Sequence, residues 1–96
     1  DVYKRQFMDN VLTQAARLRT GLKTLPHVTE VSGLGLMVGI AFEDGIKAAD
    51  VRAACEKEGL LVLTAKTRLR LLPPLILTET DVDTALDTLR TVLEKF

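Results

Sequence analysis

The fold is decided by the stretch Arg68-Leu69-Arg70-Leu71-Leu72-Pro73-Pro74, near the C-terminal end of this 96-residue chain. Successive side chains on a strand point to opposite faces, so Leu69 and Leu71 share one face while Arg68 and Arg70 share the other. Pro73-Pro74 cannot continue the pairing, because proline has no backbone N–H to donate. The stretch therefore predicts a strand with one apolar and one basic face, followed by a stiff turn.

Two further apolar segments are predicted to pair with this strand. Residues 60–64 are predicted as a short strand, and Ala65-Lys66-Thr67 is short enough for a hairpin connection. Residues 28–42 are predicted as one longer strand, with apolar side chains at positions 34, 36, 38, 40 and 42. The opposite face of that strand is small or glycine, as at Gly39 and Ala41, so we expect another group to approach it closely.

Apolar residues spaced three and four apart predict three amphipathic helices, over residues 7–25, residues 46–58 and the segment that follows Thr78. Pro26 ends the first helix, Gly59 is expected as the left-handed residue after the second, and Thr78 with Asp81 forms a capping box. The expected buried stripe of the first helix is Phe7, Val11, Ala15, Leu18, Leu22 and Leu25. The second helix is expected to bury Ile46, Ala49, Val51, Ala54 and Cys55. The order α-β-α-β-β-α predicts an α+β two-layer sandwich, with helices on one face of a three-stranded sheet.

Composition excludes several classes of protein. Thirteen basic residues balance thirteen acidic ones, which argues against a charge-driven nucleic-acid partner. No apolar run reaches the roughly 18 residues that cross a membrane. One cysteine and one histidine allow neither an internal disulfide nor a thiolate and imidazole metal cluster. We therefore expect one aliphatic-cored cytoplasmic domain without a nucleic-acid or membrane partner.

Few residues suggest chemistry on their own. Glycines 33, 35 and 39 would suit a phosphate-binding loop only before a helix, and here they lie in a predicted strand, so close packing is the favoured interpretation. Cys55 is predicted as a small core residue, Lys66 as a solvated turn residue, and His27 lies beside no nucleophile. The guanidinium of Arg70 suits a carboxylate, although its position alone favours a simple exposed strand arginine.

The motif Arg70-Leu71-Leu72-Pro73-Pro74-Leu75 resembles the C-terminal small domain of class III pyridoxal-phosphate-dependent aminotransferases. The segment from Gly33 to Ile40 and the start of the first helix, Phe7-Met8-Asp9-Asn10-Val11, resemble the same family. Residues 1–6 match nothing in it and are expected to be a non-native lead-in, with the domain over residues 7–96. Two departures stand out: Ser32 occupies a position where many relatives have arginine, and Gln6 replaces a common glycine.

The resemblance implies that Arg70 binds the α-carboxylate of the amino acid or 2-oxo acid, while Arg68 has no counterpart and is expected to be solvated. It also implies that pyridoxal 5'-phosphate is held by a lysine of a large domain in a homodimeric parent enzyme. This chain is then a fragment without catalytic, cofactor-binding or metal-binding residues, which binds no cofactor alone, is inactive and can self-associate. Within the family the motifs are closest to the branch that acts on acetylornithine in arginine biosynthesis. The alternatives are another ω-aminotransferase, such as one acting on ornithine, or a free-standing α+β ligand-binding module.

Overall fold

A computed structural model describes residues 1–71 and 78–96 of the chain. The predicted turn at Pro73-Pro74 lies outside these residues. Within them no helix is long and apolar enough to cross a membrane. The elements, in chain order, are α1 (Val2–Leu22), β1 (Val28–Ser32), β2 (Val38–Phe42), α2 (Ala48–Lys57), β3 (Leu63–Ala65), β4 (Arg68–Leu71) and α3 (Glu79–Leu93).

The strands form an antiparallel sheet in the order β1-β2-β4-β3, and the helices cover one of its faces. The predicted α+β class is therefore confirmed. The described residues contain four strands where three were predicted, because the single strand expected over residues 28–42 is a hairpin of β1 and β2. The element order is accordingly α-β-β-α-β-β-α.

Glycine geometry explains why residues 28–42 turn back on themselves. Gly33 has φ +119° and Gly35 has φ +59°, and these values reverse the chain between β1 and β2. A Cβ on Gly33 would lie 2.0 Å from the carbonyl oxygen of Met37, so the turn requires glycine there. The apolar alternation of the sequence runs through this turn, and Leu34 at its tip is 89% exposed. A strand follows these glycines and not a helix, so they lack the setting of a phosphate-binding loop.

The helix ends differ from the predicted ones by a few residues. α1 begins at Val2, where the side chain of Asp1 accepts a hydrogen bond from the Lys4 N–H at 2.9 Å, and ends at Leu22. α2 begins two residues late, at Ala48. Gly59 has φ +83°, as predicted for the residue after a helix. The capping box of α3 is confirmed, with the Asp81 N–H donating to Thr78 Oγ1 at 3.1 Å and the Thr78 N–H donating to Asp81 Oδ2 at 3.0 Å.

The core lies between the helices and the sheet and is aliphatic, as the composition predicted. Phe7, predicted in the buried stripe of α1, is 58% exposed, and residues 1–10 are all exposed. On α2, Ala49 is exposed and Ala48 is buried instead. The largest fully buried side chains are Val11, Leu18, Leu22, Val38, Ile40, Val51, Leu69, Leu71, Val82, Leu89 and Leu93.

Candidate functional site

The sheet has two chemically different faces. Leu69 and Leu71 of β4 and Val38 and Ile40 of β2 are fully buried under the helices. Residues paired across antiparallel strands point to the same side of the sheet. The strand pairing therefore shows which residues lie on the side opposite the helices. We call this side the open face; it carries Glu30, Ser32, Gly39, Ala41, Leu63, Ala65, Arg68 and Arg70.

A groove of about 450 Å³ lies on the open face, lined by Ser32, Gly39, Lys66, Arg68 and Arg70 among other residues. Gly39 sits directly between Ser32 on β1 and Arg70 on β4. A Cβ on Gly39 would lie 3.2 Å from Ser32 Oγ, which is a tight contact. The close approach predicted for this side of the strand is therefore made by the Ser32 side chain of β1, with the Leu69 carbonyl oxygen of β4 next at 3.7 Å.

The side chain of Arg68 reaches from β4 across β2, which we call the central strand, to β1. Its guanidinium contacts Glu30 Oε1 at 3.1 Å and donates to Ser32 Oγ at 3.0 Å, and both partners lie on β1, two strands away from β4. Arg68, predicted to be solvated, is 37% exposed but also paired, because the strand order brings two acceptors on β1 within its reach. Sequence reasoning missed Glu30 altogether, since nothing near it in the sequence marks it as a partner for β4.

Arg70 has different surroundings. It is exposed, faces the same groove and pairs with Gly39 on one side and Leu63 on the other, neither of which has a polar side chain. Among residues 1–71 and 78–96 it has no hydrogen-bond or ion-pair partner. A guanidinium with free N–H donors on a sheet is well suited to bind a planar anion, above all a carboxylate, through two parallel bonds.

The other candidates do not join this groove as reactive groups. His27 contacts the carboxylate of Glu43, and Cys55 is fully buried in the hydrophobic core. Burial raises the pKa of the Cys55 thiol to about 11, so the sulfur stays protonated, as expected of a small core residue. The described part of the chain holds no group of three or more side chains that could bind a metal ion.

The groove does not by itself fit an aldehyde cofactor such as pyridoxal phosphate. Its lysine, Lys66, is exposed in a turn with φ +57°, and a lysine that forms a Schiff base needs a desolvated or electrostatically activated amine. The glycines of the β1–β2 turn do not precede a helix whose N–H groups could hold a phosphate. We assign no cofactor-holding residue within the described ranges.

Comparison with known proteins defines the class. The family model "Aminotransferase class-III" matches residues 2–93, nearly the whole chain and including most of residues 1–6. The chain therefore belongs to the class III aminotransferase family. It is 45% identical over 89 residues to the acetylornithine aminotransferase of Haemophilus ducreyi, covering 93% of this chain and 23% of that protein. It is 38% identical over 98 residues to the acetylornithine aminotransferase of a Nostoc species, covering 94% of this chain and 23% of that protein.

Solved structures agree with this assignment. The N-acetylornithine aminotransferase of Stenotrophomonas maltophilia is 30% identical to this chain, with a TM-score of 0.79. The match covers 92% of this chain and 26% of the Stenotrophomonas chain. The acetylornithine aminotransferase of Elizabethkingia anophelis shares the fold at a TM-score of 0.82, with 21% identity over 99% of this chain and 27% of that one. The chain thus spans about a quarter of the length of the relatives it matches.

Proposed function

We propose that this chain is the small domain of a larger, pyridoxal-phosphate-dependent aminotransferase, and that its groove receives a substrate carboxylate. The observation that carries the proposal is the exposed guanidinium of Arg70, unpaired among the described residues and facing the groove on the open face. Family membership over residues 2–93 supports the domain interpretation over a free-standing ligand-binding module.

The proposed reaction is amino-group transfer between N-acetylornithine and 2-oxoglutarate, a step of arginine biosynthesis. The relatives with 45% and 38% identity are both acetylornithine aminotransferases, which supports this donor over ornithine. Both partners of the reaction carry an α-carboxylate, so one fixed guanidinium can serve the two halves of the cycle. A free buried cysteine suits the reducing cytoplasm, where we place the enzyme.

Arg70 would act by orientation. Two parallel N–H···O bonds fix a carboxylate in plane and in direction, and β4, paired on both sides, holds the arginine backbone in place. Pyridoxal phosphate supplies the amino-group chemistry in this family and would be held by the large domain of a homodimeric enzyme. The family match begins at residue 2, inside α1, so residues 2–6 are proposed to belong to the domain and not to a non-native lead-in.

A chimaeric enzyme tests this proposal. The matching 89-residue segment of the Haemophilus ducreyi enzyme is replaced by this chain, and transfer from N-acetylornithine to 2-oxoglutarate is measured at steady state. We expect an active enzyme in which Arg70→Lys lowers kcat/KM about 100-fold, because an ammonium cannot make the paired bonds. Arg52→Lys, on the exposed side of α2 and paired with Glu56, is the matched control and should change little.

Two results would overturn the proposal. One is a folded, cofactor-loaded chimaera that transfers no amino group. The other is equal kcat/KM for the parent chimaera and its Arg70→Lys variant.

A further inference from the structure

We propose that Arg68 is a positioning residue that keeps Arg70 free for the substrate by holding Glu30, the carboxylate on the same face. This inference rests on the proposed function of Arg70. It explains why two arginines, two positions apart on β4, differ so clearly in their partners.

The contacts of Arg68 divide its guanidinium between two acceptors on β1. One nitrogen is 3.1 Å from Glu30 Oε1 and the other is 3.0 Å from Ser32 Oγ. The arginine is thereby charge-balanced within the sheet and turned toward β1. Glu30 is the one acidic residue in the four described strands. The arginine that pairs with Glu30 is therefore the one whose charge is neutralised.

Without Arg68, Glu30 has another basic partner within reach. Glu30 pairs with Ala41, and Arg70 pairs with Gly39 two residues along the same strand. Strand spacings of about 4.8 Å and rises of about 3.3 Å per residue place the Cα atoms of Glu30 and Arg70 about 12 Å apart. Extended glutamate and arginine side chains bridge that separation.

The central strand leaves this route open. Gly39 and Ala41 lie between Glu30 and Arg70 and carry no side chain long enough to block a bridging pair. An ion pair between Glu30 and Arg70 would occupy the guanidinium that the substrate carboxylate needs. Arg68 therefore acts through Glu30 on the availability of Arg70, and not by touching the substrate.

Nitrogen NMR of the arginine side chains in the 96-residue chain tests directly whether Glu30 pairs with Arg70 when Arg68 is removed. Rotation of a guanidinium slows when an ion pair holds it, so the Nη signals of Arg68 should be resolved and those of Arg70 averaged in the parent chain. In Arg68→Met, the Arg70 signals should become resolved. In Arg68→Met/Glu30→Gln they should be averaged again. Arg68→Lys retains the charge opposite Glu30 and should leave Arg70 averaged. Averaged Arg70 signals in Arg68→Met would overturn the inference.

Kinetics of the chimaera separate this inference from the proposed function. Arg68→Met should raise KM for 2-oxoglutarate about five-fold with kcat nearly unchanged, which is the scale of a half-exposed competing ion pair. Adding Glu30→Gln should return KM to within about two-fold of the parent, a rescue that a merely structural role of Arg68 would not give. If the KM of the double variant stays as high as that of Arg68→Met, this inference is overturned while the proposed function stands. An Arg70→Lys variant as active as the parent overturns the proposed function, whatever the NMR shows.

Discussion

The electrostatics of the open face depend on single side chains. Arg68 and Arg70 would repel each other if both were unpaired, since they lie on the same side of one short strand. Glu30 offsets the charge of Arg68 and leaves that of Arg70 uncompensated among the described residues. A net positive charge thus remains on the arginine that faces the groove, which favours the binding of an anion.

The buried thiol of Cys55 should make the stability of the chain depend on pH. The Cys55 pKa is raised from 9.0 to about 11 by burial, so the unfolded chain ionises first as the pH rises. The stability that this thiol contributes is complete below pH 9 and is lost between pH 9 and pH 11. The loss is up to about 3 kcal/mol, from two pKa units.

The measurement is urea unfolding of the parent chain and of Cys55→Ala at pH 8 and pH 10.5. Groups other than Cys55 titrate equally in both proteins, so their difference isolates the thiol. Between pH 8 and pH 10.5, the parent chain should lose more unfolding free energy than Cys55→Ala does. A difference independent of pH would show that Cys55 is not desolvated.

At this scale, the sequence allowed Arg70 and Cys55 to be singled out but not the partners of Arg68. Alternation along β4 places both arginines on one face without any knowledge of the fold. The contact with Glu30 and Ser32 depends on which strand lies two places away, and a sequence carries no local signal of that order. The proposed role of Arg70 came from the resemblance, since its position alone favoured a solvated side chain.

At the scale of elements, the β1–β2 hairpin sets the shape of the groove. The side chain of Arg19 on α1 donates to the carbonyl oxygens of Gly35 and Met37, the latter at 3.2 Å, and ties the turn to the helical layer. The turn is closed internally by the Met37 N–H, which donates to the Leu34 carbonyl at 3.1 Å. Gly33 at its start and Met37 at its end both line the groove.

Two glycines of this turn should respond differently to alanine. Gly33→Ala should lower the unfolding free energy by about 2 kcal/mol or more, because φ +119° and the Met37 carbonyl at 2.0 Å both oppose a Cβ. Gly35→Ala is the matched control, with φ +59° and open space, and should cost about 1 kcal/mol. Chemical denaturation of both variants provides the comparison. Equal losses would mean that the tight approach at Gly33 is absent.

Elements with a local signal were predicted better than the hairpin. Thr78 and Asp81 determine the start of α3 through bonds within four residues, so the sequence alone located it. The β1–β2 hairpin was predicted as one strand because its apolar alternation continues through the turn. The decisive signal there was the pair of glycines at 33 and 35, whose positive φ values the pattern does not reveal.

At the scale of the whole molecule, one aliphatic core joins the three helices of the described residues to the sheet. Leu18 of α1, Leu89 of α3 and Leu69 of β4 belong to the same buried cluster. The two-layer class was predictable because each amphipathic helix needs a surface to cover and each half-apolar strand supplies one. The open face was not predictable as a site, since it depends on all the helices packing on the other side.

Core and open surface should differ in their response to truncation. Leu69→Ala should lower the unfolding free energy by about 3 kcal/mol, since Leu69 is fully buried at the centre of the sheet. Leu61→Ala should cost less than about 0.5 kcal/mol, because Leu61 is 72% exposed. Thermal unfolding should show the same order. A small effect of Leu69→Ala would contradict the single shared core.

The most direct measurement of the central claim is a crystal structure of the chimaeric enzyme with glutarate, a dicarboxylate that carries no amino or keto group. We expect one carboxylate to lie in the groove, with both oxygens about 3 Å from guanidinium nitrogens of Arg70 and with Arg68 still on Glu30. Glutarate bound elsewhere, with the Arg70 side chain turned away from it, would contradict the account.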